Sequence, residues 1–167
     1  MIAAPSFRRM PFNAAPMTSM EAAVDAHAQR LEIKPGTPFT EELLDQIALR
    51  SGVVVPASCR YFLATYGTCE SDVEIAQGDE EGRIVDFSEP DDILEQIEEF
   101  GQMGILPFAE CLAGSFYALR SDTPEANVVF VDLGEERVVP LFDTFVDFLA
   151  GLRMTDWSRH QANLNEE

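Results

Sequence analysis

The chain has 167 residues and a formal net charge of −19; 46% of its residues are hydrophobic and 10% are aromatic. This length suits one domain, and the apolar content is typical of a folded globule and argues against a disordered chain. The excess of carboxylates repels nucleic acid and anionic membrane surfaces, and no apolar run approaches the roughly 20 residues needed to span a bilayer.

The start of the chain and its cysteines indicate the compartment. Residues 1–18 are rich in Pro, Ala and Met without periodicity, so we expect a loose lead-in. Arg8 and Arg9 are not followed by an apolar block, which argues against a secretory signal. The three cysteines are an odd number without CxxC spacing, which argues against a disulfide framework. We therefore expect a reduced, cytoplasmic protein.

Two helices are predicted before residue 53. The first begins near Ser19, a plausible N-cap, and ends where "KPGTP" breaks the chain. The second is better defined, because Thr40 is a natural N-cap and Phe39 and Leu44 stand at the two positions of a hydrophobic staple. Gly52 suits its carboxyl-terminal end.

The segment "VVVPASCRYFLATYGTCE", residues 53–70, predicts a third helix. Pro56 is tolerated in a first turn, and Gly67 suits a helix end. Between them, apolar residues at i, i+3, i+4 and i+7 form one stripe: Cys59, Phe62, Leu63 and Tyr66. Cys59 is therefore interpreted as a small core residue. Cys69 follows the helix beside Glu70, and a neighbouring acid raises the pKa of a thiol, so neither cysteine is predicted to be a nucleophile.

Five short runs rich in β-branched and aromatic residues are predicted strands: "DVEIA", "GRIVDF", "SFYALRS", "NVVFVDL" and "ERVVPL". The last two are joined by "DLGEER", a hairpin turn in which Gly134 is expected to supply a positive φ. Between the second and third runs, "SEPDDILEQIEEFG" predicts a helix with a capping box at Ser88 and Asp91 and an end at Gly101. The last predicted helix is "FDTFVDFLAGL".

Together these elements predict an α+β domain with a largely antiparallel sheet flanked by helices. The domain is expected to occupy residues 19–152, with a polar tail at 153–167. Its buried residues are predicted to include Phe62, Leu63, Phe130, Val131, Phe145 and Leu149.

Acidic residues concentrate between positions 70 and 100, where thirteen acids accompany the single base Arg83. The polar face of the helix in this segment carries Asp91, Asp92, Glu95, Glu98 and Glu99. Like charges at i+3 and i+4 cost a few tenths of a kcal/mol each, and a merely solvated helix normally mixes its signs. We interpret this face, with three acids of the preceding loop, as a partner-binding surface rather than a solubility device. Those three acids are Asp79, Glu80 and Glu81.

Signatures of catalysis, metal binding and cofactor binding are weak. His27 and His160 have no nearby cysteine or metal-ligand spacing, and Cys111 is interpreted as a packing residue in a loop. The glycines form no phosphate-binding motif, and the acids of "DEEGRIVDF" lack the spacing of an EF-hand loop, which leaves only weak, adventitious divalent binding there. We expect no catalytic residue, no metal site and no cofactor.

The stretch "VVVPASCRYFLATYG" resembles the segment by which the SUKH superfamily (the Smi/Knr-type domain) is recognised: a proline, a short helix with an aromatic-Phe-Leu core, and a final glycine. The later blocks "ILPFAECLAGSFYALRSD", "NVVFVDL" and "PLFDTFVDFLAGL" are similar to those of the family, in the same order. The similarity covers about residues 40 to 152.

This resemblance implies an α+β fold without an active site. Many bacterial members look like immunity proteins, which silence a cognate toxin, often a nuclease, from a polymorphic toxin system; fungal relatives serve as interaction scaffolds. The prediction is a non-enzymatic immunity protein whose partner is a basic, nuclease-like toxin, with neither nucleic acid nor membrane as a partner. Phe87 or Phe100 is expected to add a hydrophobic contact. The alternatives are a scaffold module of the same fold or a small hydrolase using Cys69 or Cys111.

Overall fold

The computed structural model describes residues 18–111, 114–120 and 126–157. Within these ranges, five helices lie at α1 Ser19–Arg30, α2 Glu41–Ser51, α3 Ala57–Thr65, α4 Pro90–Phe100 and α5 Phe145–Ala150, and a 3-10 turn, Gly101–Met103, follows α4. The same residues contain seven strands: β1 Val73–Ile75, β2 Ile84–Phe87, β3 Ile105–Glu110, β4 Phe116–Arg120, β5 Asn127–Asp132, β6 Arg137–Phe142 and β7 Leu152–Met154. Of the sequence predictions, nearly all of the lead-in, most of the polar tail and His160 fall outside the described residues.

The strands form one sheet in the order β6-β5-β4-β3-β2-β1-β7, and every neighbouring pair is antiparallel. The predicted α+β class with an antiparallel sheet is confirmed. The five predicted runs correspond to β1, β2, β4, β5 and β6, whereas β3 and β7 were not predicted. β3 contains Pro107, and its first five residues are all buried, so the sequence lacks the alternation of a half-exposed strand. β7 has only three residues.

The main core lies between the sheet and the helices. Phe62 of α3 packs 5.5 Å from Phe145 of α5, and Phe148 of α5 lies 5.3 Å from Phe108 of β3, measured between ring centroids. A smaller cluster includes Phe116 of β4, whose ring lies 5.0 Å from that of Phe100. The six side chains predicted to be buried are all at most 3% exposed: Phe62, Leu63, Phe130, Val131, Phe145 and Leu149.

Both ends of α2 agree with the sequence prediction, whereas the N-caps of α1 and α4 differ from it. Thr40 accepts a hydrogen bond from the Leu43 amide, and Gly52 ends α2 with φ 72°, as predicted. The N-cap of α1 is Thr18, not Ser19, in a capping box with Glu21. The predicted capping box of α4 is wrong: Glu89 is its N-cap and makes no side-chain cap bond. Proline fits the first turn of a helix, which is why the chain enters α4 at Pro90.

The last helix and the last hairpin also differ from the prediction. α5 is shorter than predicted, because Phe142 completes β6 and Leu152 begins β7. Thr144, whose hydroxyl accepts a hydrogen bond from the Asp147 amide, sets where α5 begins. In the β5–β6 turn the positive φ belongs to Glu136, at 54°, rather than to Gly134.

Candidate functional site

The exposed side of α4 is uniformly acidic. Ile93 and Ile97 bury the opposite side, and the helix packs against β3 and α2. The five carboxylates predicted for the exposed side are all solvent-exposed: Asp91, Asp92, Glu95, Glu98 and Glu99. We call these five residues the acidic helix face. Within the described ranges, no lysine or arginine forms an ion pair with any of them.

Several arginines of the described part are paired with acids elsewhere in the fold. Arg60 of α3 lies 2.8 Å from Asp45 of α2, and Arg153 of β7 lies 2.6 Å from Glu74 of β1. Arg137 of β6 lies 2.9 Å from Glu135 in the neighbouring turn. These pairs neutralise charge away from α4, so the acidic helix face keeps its excess of negative charge.

A second group of acids lines a cavity of about 390 Å³ beside the start of α4. Its carboxylates come from four separate parts of the chain: Glu70, Asp86, Glu89, Asp92 and Glu110. We call this cavity the acidic cleft. Asp86 of β2 and Glu110 of β3 are direct cross-strand partners, an arrangement in which like charges destabilise a sheet. Asp92 belongs both to the cleft and to the acidic helix face, so the two are continuous.

The electrostatics of the cleft reflect burial first and the crowding of carboxylates second. Desolvation raises the pKa of Asp86 above its ordinary value. Desolvation raises the pKa of Glu110 as well, and the charges of Asp92 and Asp86 raise it further. The ionised carboxylates are therefore held together at a cost in free energy, which an incoming cation would relieve.

A second groove, of about 220 Å³, runs beside α4 and offers apolar contacts. Besides acids of α4 it is lined by Phe100, which is half-buried, and by Leu133, which is 43% exposed. The structure thus places Phe100 at the margin of the acidic helix face. Phe87 is not available in this way, because it is buried with its ring 5.0 Å from that of Phe62.

The acids of the β1–β2 turn differ among themselves in exposure. Asp79 and Glu81 are exposed. Glu80, in contrast, is 6% exposed, and its carboxylate accepts a hydrogen bond of 2.8 Å from Arg83. The Arg83 guanidinium in turn lies 4.5 Å from the centroid of the Phe130 ring. Glu80 therefore anchors the turn internally. The turn precedes β2 and α4 follows it, so the two acidic segments lie at opposite ends of that strand.

Two of the three cysteines are buried, and Cys69 is partly buried. Cys59 is fully buried, as predicted, and burial raises its pKa far above the ordinary value. The pKa of Cys69 is raised to about 12, chiefly by burial and to a smaller extent by the charge of Asp86, rather than by Glu70 as the sequence suggested. Cys111 is 7% exposed. Thiols with raised pKa values stay protonated near neutral pH and are poor nucleophiles.

His27 contacts an arginine, and the described residues contain no cluster of metal-binding side chains. The Arg30 Nε donates a 3.0 Å hydrogen bond to Nδ1 of His27, and burial together with the Arg30 charge lowers the pKa of His27. Among residues 18–111, 114–120 and 126–157, no three His, Cys, Asp or Glu side chains are placed to hold a metal ion. Within the same ranges, no helix has the length and apolar content required to cross a bilayer.

Sequence reasoning found the acidic helix face but missed the cleft. The face follows from a 3.6-residue period within one helix, which the sequence displays directly. The cleft depends on the pairing of Asp86 with Glu110, which are far apart in the chain, and Glu110 ends β3, one of the two strands that the sequence does not predict. The feature of the sequence that could have indicated the cleft is Asp86 itself, an acid between the buried residues Val85 and Phe87.

Comparison with known proteins identifies one family. The sequence model of the SMI1 / KNR4 family (SUKH-1) matches residues 38–151, which span α2 to α5 and therefore include α4 and all the cleft acids. A comparison with curated proteins finds no match.

Proposed function

The chain belongs to the SMI1 / KNR4 family (SUKH-1), and we propose from this premise that it is an immunity protein that binds and neutralises a cognate toxin. Members of this family are commonly immunity proteins and are generally non-catalytic. The protein then acts by occupying a surface of its partner, without turning over a substrate.

The observation that carries the proposal is the acidic helix face. Five exposed carboxylates lie on one side of α4, and no lysine or arginine of the described residues forms an ion pair with them. Their mutual repulsion costs stability. A surface of one sign speeds association with a partner of the opposite sign and rejects others. We therefore propose a basic partner. A toxin that acts on nucleic acid needs a basic cleft, so a nuclease-like toxin fits this surface.

Apolar contacts beside the acids would slow release of the partner. Phe100 and Leu133 lie in the groove along α4, within reach of a partner that covers the helix. Buried aromatic anchors contribute most to the lifetime of a complex, whereas rim charges mainly set its rate of formation. Asp79 and Glu81, at the other end of β2, are proposed to add to the attractive field without forming contacts.

Co-purification from the native host followed by co-expression tests this function. The expected partner is a basic protein that is toxic when expressed alone and harmless when expressed with this chain. Binding is expected to weaken as salt rises. A specific partner without toxicity would instead indicate a scaffold module. Turnover that is abolished by thiol alkylation would indicate a hydrolase and overturn the proposal.

A further inference from the structure

We propose that the acidic cleft is a receptor for one arginine side chain of the protein partner. The partner's role as a toxin rests on the proposed function above, but the chemistry of the cleft does not. Asp86 and Glu110 face each other from β2 and β3, and Asp92 approaches from the first turn of α4. Within the described part of the chain no cation is paired with any of the three.

A neutral group of the cleft independently points to a missing hydrogen-bond donor. Ser88 lines the cleft and is 7% exposed, yet its Oγ has no hydrogen-bond partner among the described residues. Its amide is satisfied, since it donates to the Phe108 carbonyl at 2.9 Å. A buried hydroxyl without a partner is unusual in a folded protein and is costly. The Oγ itself is shielded from solvent, so an N–H group would supply that partner only by reaching it from the cleft that Ser88 lines.

The shape of the cleft favours a guanidinium over a metal ion. The acids are not close enough for three of them to share one metal, judged over the residues that the structure describes. The volume of about 390 Å³ is in the range of pockets that take organic groups. A guanidinium is planar and presents five N–H donors, so it can bridge separated carboxylates and reach a hydroxyl at the same time. An ammonium is a compact point charge and cannot span them in that way.

NMR titration of the full-length chain with a small probe tests the receptor without needing the partner. The probes are Nα-acetyl-arginine-N-methylamide, the corresponding lysine compound, and the neutral citrulline compound. The arginine probe is expected to shift the amide signals of Asp86, Ser88, Asp92 and Glu110 in a saturable way. The lysine probe should bind several-fold more weakly, and the citrulline probe should leave the signals unchanged.

A matched pair of variants separates the cleft from general negative charge. The double variant Asp86→Asn/Glu110→Gln should bind the arginine probe about tenfold more weakly, because charge-assisted hydrogen bonds are lost. The control Asp91→Asn/Glu98→Gln removes the same charge from the acidic helix face, outside the cleft, and should change binding less than about twofold. The single variant Ser88→Ala should weaken binding of the probe without changing net charge.

Each negative result of these experiments has a distinct interpretation. Equal weakening by the two double variants, or shifts spread along α4, would show that the probe senses only net charge and would overturn the receptor. That result would leave the proposed function in place, since the acidic helix face does not depend on the cleft. A saturable arginine site in a chain that captures no toxic partner would support the receptor and reject the proposed function.

Discussion

Gly67 lies directly against the backbone of Thr37: a Cβ at Gly67 would be 1.8 Å from the Thr37 carbonyl oxygen. The Thr68 amide donates to the same oxygen at 3.0 Å, and Gly67 has a φ of 59°. The contact joins the loop before α2 to the loop after α3, which also exchange two backbone hydrogen bonds between Lys34 and Glu70. The glycine that ends the family segment therefore fixes a tertiary junction as well as a helix end.

Replacing Gly67 with alanine should destabilise the fold strongly. The new Cβ requires the backbone to move, and the positive φ is unfavourable as well, so we expect a loss of about 3 kcal/mol or more. Gly52→Ala is the matched control, because Gly52 also has a positive φ but a Cβ there would meet nothing within 4 Å. Its cost should be only about 1–2 kcal/mol. Urea unfolding of both variants measures the difference, and equal losses would contradict the close contact.

Arg30 should stabilise the end of α5 through a fork of hydrogen bonds. Its guanidinium donates to the carbonyls of Leu149 and Leu152, each at 2.9 Å, and to that of Ala150 at 3.1 Å. Leu149 and Ala150 are the last two residues of α5, whose carbonyls lack the amide partners found inside a helix, so Arg30→Met should cost about 1–3 kcal/mol. Arg30→Lys should recover only part of this, because an ammonium cannot reach all three acceptors.

Thermal unfolding of these variants is the measurement. Arg50→Met, in the last turn of α2, serves as the control and should cost less than about 0.5 kcal/mol. Full recovery of stability in Arg30→Lys would show that a single charge suffices and that the fork is not needed.

Neutralising the opposed acids Asp86 and Glu110 should stabilise the protein at pH 7. The pKa values of both carboxyls are raised in the folded state, from ordinary values of 3.8 and 4.5. The folded chain therefore binds protons more tightly than the unfolded chain, and the ionised pair opposes folding above these values. Each of Asp86→Asn and Glu110→Gln should add about 0.2–1 kcal/mol at pH 7, a modest gain because solvent screens the pair.

The pH dependence of this stability gain tests whether ionisation of the two carboxylates opposes folding. As pH falls from 7 toward 4, the wild-type pair takes up protons and its repulsion is relieved, so the advantage of the variants should shrink. Unfolding free energies at several pH values in this window measure it. An advantage that grew on acidification would mean that the two carboxylates are stabilised, rather than strained, when ionised.

Cysteine replacement should affect stability and leave function intact. Cys59→Ser places a hydroxyl in the core beside Phe62 and Leu63, so we expect a loss of about 1–3 kcal/mol. Cys69→Ser and Cys111→Ser should cost less, and alkylation of the native protein should be slow. Protection against the partner's toxicity is the functional readout. If one cysteine proved essential while its variant stayed folded, the non-enzymatic account would be wrong.

The features that could be predicted are those that follow from local periodicity in the sequence. The five alternating or β-branched runs, the Thr40 cap of α2 and the acidic side of α4 all depend on neighbours within a few residues. The parts that were missed depend on tertiary pairing. β3 is buried along nearly its whole length, so it gives no alternation, and without it the opposition of Asp86 and Glu110 could not be inferred.

Glu80 shows a different limit of sequence reasoning. The sequence places it beside Asp79 and Glu81 in an acidic loop, although its partner Arg83 is only three residues away. Burial of the pair, however, also depends on the Phe130 ring under Arg83 and on Arg137, 3.8 Å from Glu80, which come from β5 and β6. The sequence shows that a residue is acidic, but it does not show whether that residue anchors a turn or faces solvent.

The most direct test of the account is the rate of association with the captured partner as a function of ionic strength. The variant Glu95→Lys/Glu98→Lys/Glu99→Lys reverses three acids of the acidic helix face that lie outside the cleft. The control Glu42→Lys/Asp72→Lys/Asp143→Lys makes the same change in net charge at exposed acids elsewhere. Circular dichroism and thermal unfolding should show both variants folded, because every replaced side chain is exposed.

The wild-type association rate should fall steeply with salt, since screening weakens attraction between exposed charges. The α4 variant should associate at least about tenfold more slowly at low salt, with a flatter salt dependence, while the control should keep most of the wild-type rate. Salt-independent association of the wild type, or equal rates for the two variants, would contradict the claim that the acidic helix face receives the partner.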